Sequence, residues 1–284
     1  MTANEVRIDA LLPAEMARKA EYLGERKAQM PFLQMFTLAI LAGAFIALGA
    51  VFSTTASASV TSGLPYGVTR VLAGLVFSLG LILVVVGGAE LFTGNTLLVM
   101  AWANKKVTSS QLLRNWVIVY LGNFAGALGM AIMVFFSRQY TFGDNAVGIT
   151  VLQIASNKVH LGFIQAIFLG ILCNVLVCLA IWLTYSARST LDKIAAIIFP
   201  ISAFVAAGFE HSVANMYFIP IGLLIKDFDP QFIEAIASAS VYLDGLNWGT
   251  FLVNNLLPVT IGNIIGGAVL VAAVYWSIFL RNTD

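Results

Sequence analysis

Six long apolar stretches, at residues 32–52, 69–102, 111–136, 159–185, 194–225 and 251–280, alternate with short polar segments along the chain. About 20 consecutive apolar residues wound as a helix match the hydrocarbon thickness of a bilayer, so most of these stretches predict one membrane-spanning helix each. The second and fifth are too long for a single crossing and carry polar residues near their middles. Each of these two predicts a pair of half-helices joined by non-helical backbone. Such backbone is tolerated at membrane depth only where protein buries it or where it lines a cavity.

The two interruptions repeat one another. Residues 87–95 read GGAELFTGN and residues 207–215 read AGFEHSVAN, so Gly-x-Glu-x-x-x-x-Asn recurs 120 residues later. Carboxylates at membrane depth are costly, and a matching pair flanked by Gly and Asn points to interrupted helices around a substrate path. The third and sixth stretches also correspond: Asn115, Gly122, Asn123, Gly126 and Ala127 are echoed by Asn255, Gly262, Asn263, Gly266 and Gly267. With three spans in each half, the second half must enter the membrane from the opposite face. The predicted fold is an all-α membrane protein of six transmembrane helices in two inverted three-helix repeats, the second and fifth helices broken, with the path between the halves. The pore domain covers residues 31–281, repeat one about 31–137 and repeat two about 158–281. The glycine pairs allow close helix approach, and Asn123 and Asn263 beside them read as interhelical hydrogen-bonding residues ahead of path-lining ones.

Composition supports a membrane setting. Hydrophobic residues make up 60% of the chain and charged ones 10%, with a mean hydropathy of +0.91. Soluble domains run at roughly 45–50% apolar and 25% charged, so a soluble globular domain is excluded. The net charge of +1 carries no information about partners, and no nucleic acid is expected among them.

The placement of basic residues says more. If both ends lie on one side, that side holds Arg7, Arg18, Lys19, Arg26, Lys27, Lys105, Lys106, Arg114, Arg188, Lys193 and Arg281, against Arg70, Arg138, Lys158 and Lys226 on the other. Positive loops stay inside, which puts both termini in the cytoplasm. Asp144, Asp227, Asp229, Glu234 and Asp244 fall on the opposite face. Ala56-Ser57-Ala58 resembles a signal-cleavage site, but the preceding span is too long for a signal peptide and reads as a retained helix. Residues 1–30 predict a cytoplasmic amphipathic helix begun by Pro13, for which packing or interfacial anchoring is favoured over gating. Residues 282–284 form a cytoplasmic tail. Cys173 and Cys178, five apart on one helix, point to different sides and are not expected to form a disulfide.

His211 is the ionisable side chain within the apolar spans able to be a cation near neutral pH. An anion in the path would favour its imidazolium form, which makes it a candidate selector and pH sensor. The half-helices after the two loops begin near Thr93 and Ser212, turning amide-rich N-termini toward the path. Glu90 and Glu210, with Gly88 and Gly208, are read as structural, since a bare carboxylate would repel an anion. Their expected partners are backbone N–H groups freed at the breaks. Lys158 and His160 read as solvated surface residues. Two histidines without His-x-x-x-His or His-Glu-x-x-His spacing, and no Walker or dinucleotide loop, argue against an enzyme and against a cofactor or metal.

Together these features resemble the formate/nitrite transporter family over nearly the whole chain. The residues that carry the resemblance are Gly88 to Asn95 at the first break, Gly208 to Met216 at the second, LLPAEMA at 11–17 and PVTIGNIIGG at 258–267. The resemblance implies an aquaporin-like protomer, a homopentamer with one pore per protomer, and a bacterial inner membrane as its location. Its implied substrate is formate or related small anions, with proton coupling left open and membrane lipid as surroundings. It also implies an outer constriction at Phe77 and Phe204, an inner one at Leu81, Leu91 and Val177, Thr93 facing His211, and Asn174 and Asn215 in the polar neighbourhood of the histidine. The alternatives are a nitrite or hydrosulfide channel of the same family and an aquaporin-like pore for neutral solutes. The missing Asn-Pro-Ala pair disfavours the last of these.

Overall fold

The computed structural model describes residues 10–58 and 64–281, and every regular element among them is helical. Arg7 and the tail at 282–284 lie outside the described residues. Helix α1 (Pro13–Ala28) opens with proline at a position where the missing N–H is no loss. The Glu15 carboxylate accepts the Leu12 N–H at 2.9 Å, completing the first turn. After α2 (Phe32–Ser57) and α3 (Tyr66–Gly87) the chain leaves helical geometry at residues 88–91. It resumes in α4 (Phe92–Asn95), a 3-10 turn (Thr96–Leu98) and α5 (Val99–Ala103). Then come α6 (Ser109–Ser137), α7 (Ala146–Val159), α8 (Phe163–Tyr185), α9 (Thr190–Ala206), α10 (Ser212–Phe228) and α11 (Pro230–Ala235). A continuous helix, α12 (Trp248–Phe279), ends the chain.

Five helices, α2, α3, α6, α8 and α12, are long and apolar enough to cross a membrane. The stretch at 194–225 yields none, because the break at 207–211 divides it into α9 and α10 of 17 residues each. Gly88 and Gly208 stop α3 and α9 in the left-handed region, at φ of +74° and +77°. That conformation is open to glycine and strained for a side chain with a Cβ.

Three features depart from the sequence reading. Helix α7 occupies what read as a connection; its Val147, Val151, Leu152, Ala155 and Val159 recur at helical spacing and are buried. The stretch read as starting at 159 therefore begins its helix at Phe163. The half-helix after the first break has only four α-helical residues before it tightens into the 3-10 turn. Finally, α12 is π-helical over Phe251–Leu256 and Ile265–Ala273, around Asn255 and the Gly266-Gly267 pair.

Packing follows the small residues. Helix α2 packs on α3 and α6, α8 packs on α9 and α12, and α3 against α9 joins the two groups. A Cβ added at Gly126 would strike the Ile40 carbonyl of α2, and one at Gly262 would strike the Ile167 carbonyl of α8. Both glycines are thus required by the close approach of neighbouring backbones.

At one end of the molecule an ion pair fastens the end of α6 to the start of α11. Arg138 lies 3.1 Å from Asp229, whose carboxylate also accepts the Tyr140 hydroxyl at 2.6 Å and the Phe232 N–H at 3.1 Å. Burial alone would raise the Asp229 pKa, but Tyr140, Phe232 and Arg138 together hold it below the ordinary carboxylate value. Burial and Asp229 push the Tyr140 hydroxyl up to about 12. Because the folded-state value of Asp229 is depressed, its contribution is present above the unfolded pKa and is lost as pH falls through the folded one. Asp229→Asn is expected to cost about 1 kcal/mol at neutral pH, discounted for the solvent-facing Arg138, which is 58% exposed. Thermal unfolding of wild type and variant should converge below the carboxylate range; a difference that persists there would rule out this linkage.

Candidate permeation site

Each break is held by the same set of side chains. At the first, the Glu90 N–H bonds the Leu38 carbonyl at 3.2 Å and the Phe92 N–H bonds Asn123 Oδ1 at 2.8 Å. Asn123 Nδ2 donates to the carbonyls of Ala39 and Glu90 at 2.8 and 2.9 Å. At the second, the Glu210 N–H bonds Leu169 O at 3.2 Å and the Ser212 N–H bonds Asn263 Oδ1 at 2.9 Å. Asn263 Nδ2 donates to Gly170 O and Glu210 O at 2.8 and 2.9 Å. Asn123 and Asn263 thus take up the backbone groups that the interrupted helices leave over, which would otherwise be buried without partners.

The glutamates have different partners from those expected. Glu90 accepts from Asn95 Nδ2 at 2.8 Å and pairs with Lys27 at 3.1 Å. Glu210 accepts from Asn215 Nδ2 at 2.7 Å and pairs with Lys158 at 2.7 Å. Side-chain donors replace the expected N–H groups because the asparagine clamps and neighbouring carbonyls have already engaged the backbone. Asn115 and Asn255 extend each cluster, accepting from Asn95 at 3.0 Å and Asn215 at 2.7 Å and donating to the carbonyls of Lys27 and Lys158. Lys158 is therefore an ion-paired, largely covered residue at 16% exposure, not a solvated one. His160 is exposed, as expected, with Nδ1 on Ser156 O at 2.7 Å.

Two cavities lie toward opposite ends of α3. The first, of about 250 Å³, is lined by Arg70, Phe77, Lys158, Phe204, Gly208 and His211 among others. The second, of about 270 Å³, is lined by Lys27, Val84, Gly88, Leu91, Gly94 and Tyr185 among others. From Phe77 to Val84 the helix rises roughly 10 Å, which sets the thickness of the partition. Phe77 and Phe204 meet edge to face at 5.7 Å, and the Phe204 ring lies 5.9 Å from His211. Leu91 lines the second cavity; Leu81 and Val177 are buried and line neither.

Thr93 and His211, from the two breaks, meet: Thr93 Oγ1 is 2.9 Å from His211 Nε2. The other ring nitrogen, Nδ1, accepts the Ala214 N–H at 3.1 Å and caps α10. An accepting Nδ1 carries no proton, so Nε2 holds it and donates to Thr93. The Thr93 hydroxyl hydrogen then has no acceptor among the described residues. Thr93 itself is fully buried and lines neither cavity.

Asn174 and Asn215 serve as supports. Asn174 Nδ2 donates to Thr93 O at 3.2 Å, Thr96 Oγ1 at 3.3 Å and Asn263 O at 2.6 Å, fixing the backbone under Thr93. Asn215 holds Glu210. The Oδ1 atoms of both, with Ser212 Oγ, are buried without a protein partner. Sequence reasoning assigned no role to Lys27, Asn115 or Asn255. Both lysines pair with the glutamate of their break, Lys27 also donating to Asn95 Oδ1 at 2.9 Å, but they lie 131 residues apart, against 120 for the glutamates and 140 for Asn115 and Asn255, so one fixed offset cannot align them.

The chain matches a family model described as formate/nitrite transporter over residues 14–277. It is 48% identical over 277 residues to the formate channel FocA of Escherichia coli K12, covering 97% of each chain. Its identity to the formate channel FocA of Haemophilus influenzae is 45% over 262 residues, 92% of each. A solved structure described as a pentameric formate channel with formate bound is similar at 42% identity and a TM-score of 0.79, over 88% of this chain and 98% of that one. A second, described as an FNT family ion channel, is similar at 28% identity and a TM-score of 0.78, over 93% and 98%.

Proposed function

The chain belongs to the formate/nitrite transporter family, and from that premise we propose that it is a transmembrane channel for formate. The contact that carries this reading is Thr93 with His211, which joins the two breaks in the partition between the cavities. An anion crossing from one cavity to the other would meet Phe77 and Phe204, then the Thr93 hydroxyl beside His211, then Leu81, Leu91 and Val177. The apolar residues strip water from the ion, and the hydroxyl and imidazole offset part of that loss. Glu90 and Glu210 take no part in conduction, because Lys27 and Lys158 neutralise them at the rim.

The protomer in this reading has six spans in two inverted repeats, with α3 to α5 forming the broken second span and α9 to α10 the broken fifth. The matching clamps at the two breaks support it. Residues 31–281 make the pore domain, and α1 precedes it on the cytoplasmic side. Five chains assemble in the bacterial inner membrane, each with its own pore and both termini inside. No chemical conversion accompanies transport, and His211 gives the flux its pH dependence.

Formate uptake into proteoliposomes at neutral and acid pH tests the proposal. Thr93→Val keeps the shape and removes the hydroxyl, and is expected to slow uptake on the order of tenfold, the effect of one lost hydrogen bond to an anion. Uptake unchanged by this variant would discard the contact as the site. If nitrite or hydrosulfide crosses and formate does not, the family membership stands and the substrate changes.

A further inference from the structure

Two basic residues line the first cavity, and they are bound differently. Lys158 is already neutralised by Glu210 at 2.7 Å. Arg70, near the start of α3, has no carboxylate partner among the described residues. Its Nε donates to Ala206 O at 3.3 Å and its Nη2 to Val205 O. The Ala206 carbonyl is left over where α9 ends at the break, the Val205 carbonyl also accepts the Gly208 N–H at 3.1 Å, and a cation there complements the negative end of the helix. The guanidinium lies over the turn that leads to Glu210 and His211, since a Cβ added at Gly208 would stand 3.7 Å from Nη2.

The chemistry of the fork decides what else Arg70 can do. Nε and Nη2 form one edge, and the α9 carbonyls occupy it. The opposite edge, built from Nη1 and the second Nη2 hydrogen, keeps its donors. Two parallel N–H groups at that edge match the two oxygens of a carboxylate. Lys158 cannot offer the same without leaving a buried glutamate unpaired, which costs several kcal/mol.

We infer that Arg70 is the anion-receiving site of this cavity, holding a small monovalent carboxylate or a similarly flat oxyanion through both oxygens before it meets Phe77 and Phe204. The inference rests on the channel reading above. A partly solvated, singly charged site binds weakly, as a site that must also release its ion requires. The second cavity has no equivalent: the residue 120 positions after Arg70 is Thr190, at the exposed start of α9, and Lys27 is paired with Glu90.

Formate uptake by wild-type and variant proteoliposomes, titrated in formate at low and high ionic strength, tests the site. Arg70→Gln keeps an amide donor for the α9 carbonyls and loses charge and fork; Arg70→Lys keeps the charge alone. The half-saturating concentration should rise roughly tenfold in the first and roughly threefold in the second. Maximal flux should change little, and the loss of flux with added salt should flatten in Arg70→Gln. Unchanged half-saturation and salt response in assembled Arg70→Gln overturns the site. So does a fall in maximal flux alone, which would leave Arg70 as a cap for α9. If Arg70→Gln does not assemble, Arg70→Lys decides: a raised half-saturation supports the site and an unchanged one overturns it. If wild type passes no formate, the substrate has failed rather than the site, and the same titration with nitrite decides on Arg70. If neither anion crosses, thermal unfolding in formate against chloride decides, with stabilisation of wild type but not of Arg70→Gln as the supporting result.

Discussion

Lys158→Met is expected to lower the stability of the assembled protein by about 3 kcal/mol, because removing one member of a buried ion pair leaves the other without compensation. Glu210 is 6% exposed and Lys158 16%, so little water reaches the carboxylate once the ammonium is gone. The two asparagine donors on Glu210 keep the loss from being larger. Lys27→Met makes the same change at the other break, where the lysine is 31% exposed, and about 1 kcal/mol is expected there. Thermal unfolding in detergent and the yield of oligomer should rank the two variants in that order. Adding Glu210→Gln to Lys158→Met removes the stranded charge and should recover most of the loss. If the single variant unfolds like wild type, the pair is not what holds the second break.

His211→Phe is expected to slow formate uptake on the order of tenfold, and what remains should no longer vary with pH. The substitution removes the donor to Thr93 and also the cap on Ala214, whose loss costs about 1 kcal/mol of helix stability. His211→Asn separates these effects, because asparagine caps well and takes up no proton at these pH values. With the cap restored, uptake that stays flat between neutral and acid pH assigns the pH response to the imidazole. A response that returns in the asparagine variant would sink that assignment. The geometry adds a condition: a second proton must go to Nδ1, and placing it there breaks the bond to Ala214. Charging the histidine therefore loosens the start of α10.

Much of this was legible in the chain. The apolar runs located the long helices, and the recurring Gly-x-Glu-x-x-x-x-Asn located both breaks, since each run was too long for one crossing and interrupted at the same polar pattern. The asparagines at 123 and 263 were found as a repeated motif, and hydrogen bonding was the favoured role. Helix α7 was missed because it has too few apolar residues for a span and sits between two obvious ones. The lysine partners of the glutamates were missed for a different reason. Lys27 comes from α1, ahead of the first repeat, and Lys158 from the end of α7, at the very start of the second, and a long side chain reaching back under a loop leaves no periodic trace. Arg70 enters the sequence reading only through the orientation count, because sequence spacing cannot reveal that it reaches the end of α9.

The clamps divide the molecule in a way that bears on its history. Lys27, Glu90, Asn95, Asn115 and Asn123 bond among themselves within the first half, and Lys158, Glu210, Asn215, Asn255 and Asn263 within the second. Among the bonds that cross from one half to the other are Thr93 to His211, Asn174 to the Thr93 carbonyl and Arg70 to the end of α9. These three lie along the seam that the proposed path follows. Substitutions at these three contacts leave the bonds within each clamp untouched, so in this reading the choice of anion can change while the scaffold of each half stays as it is.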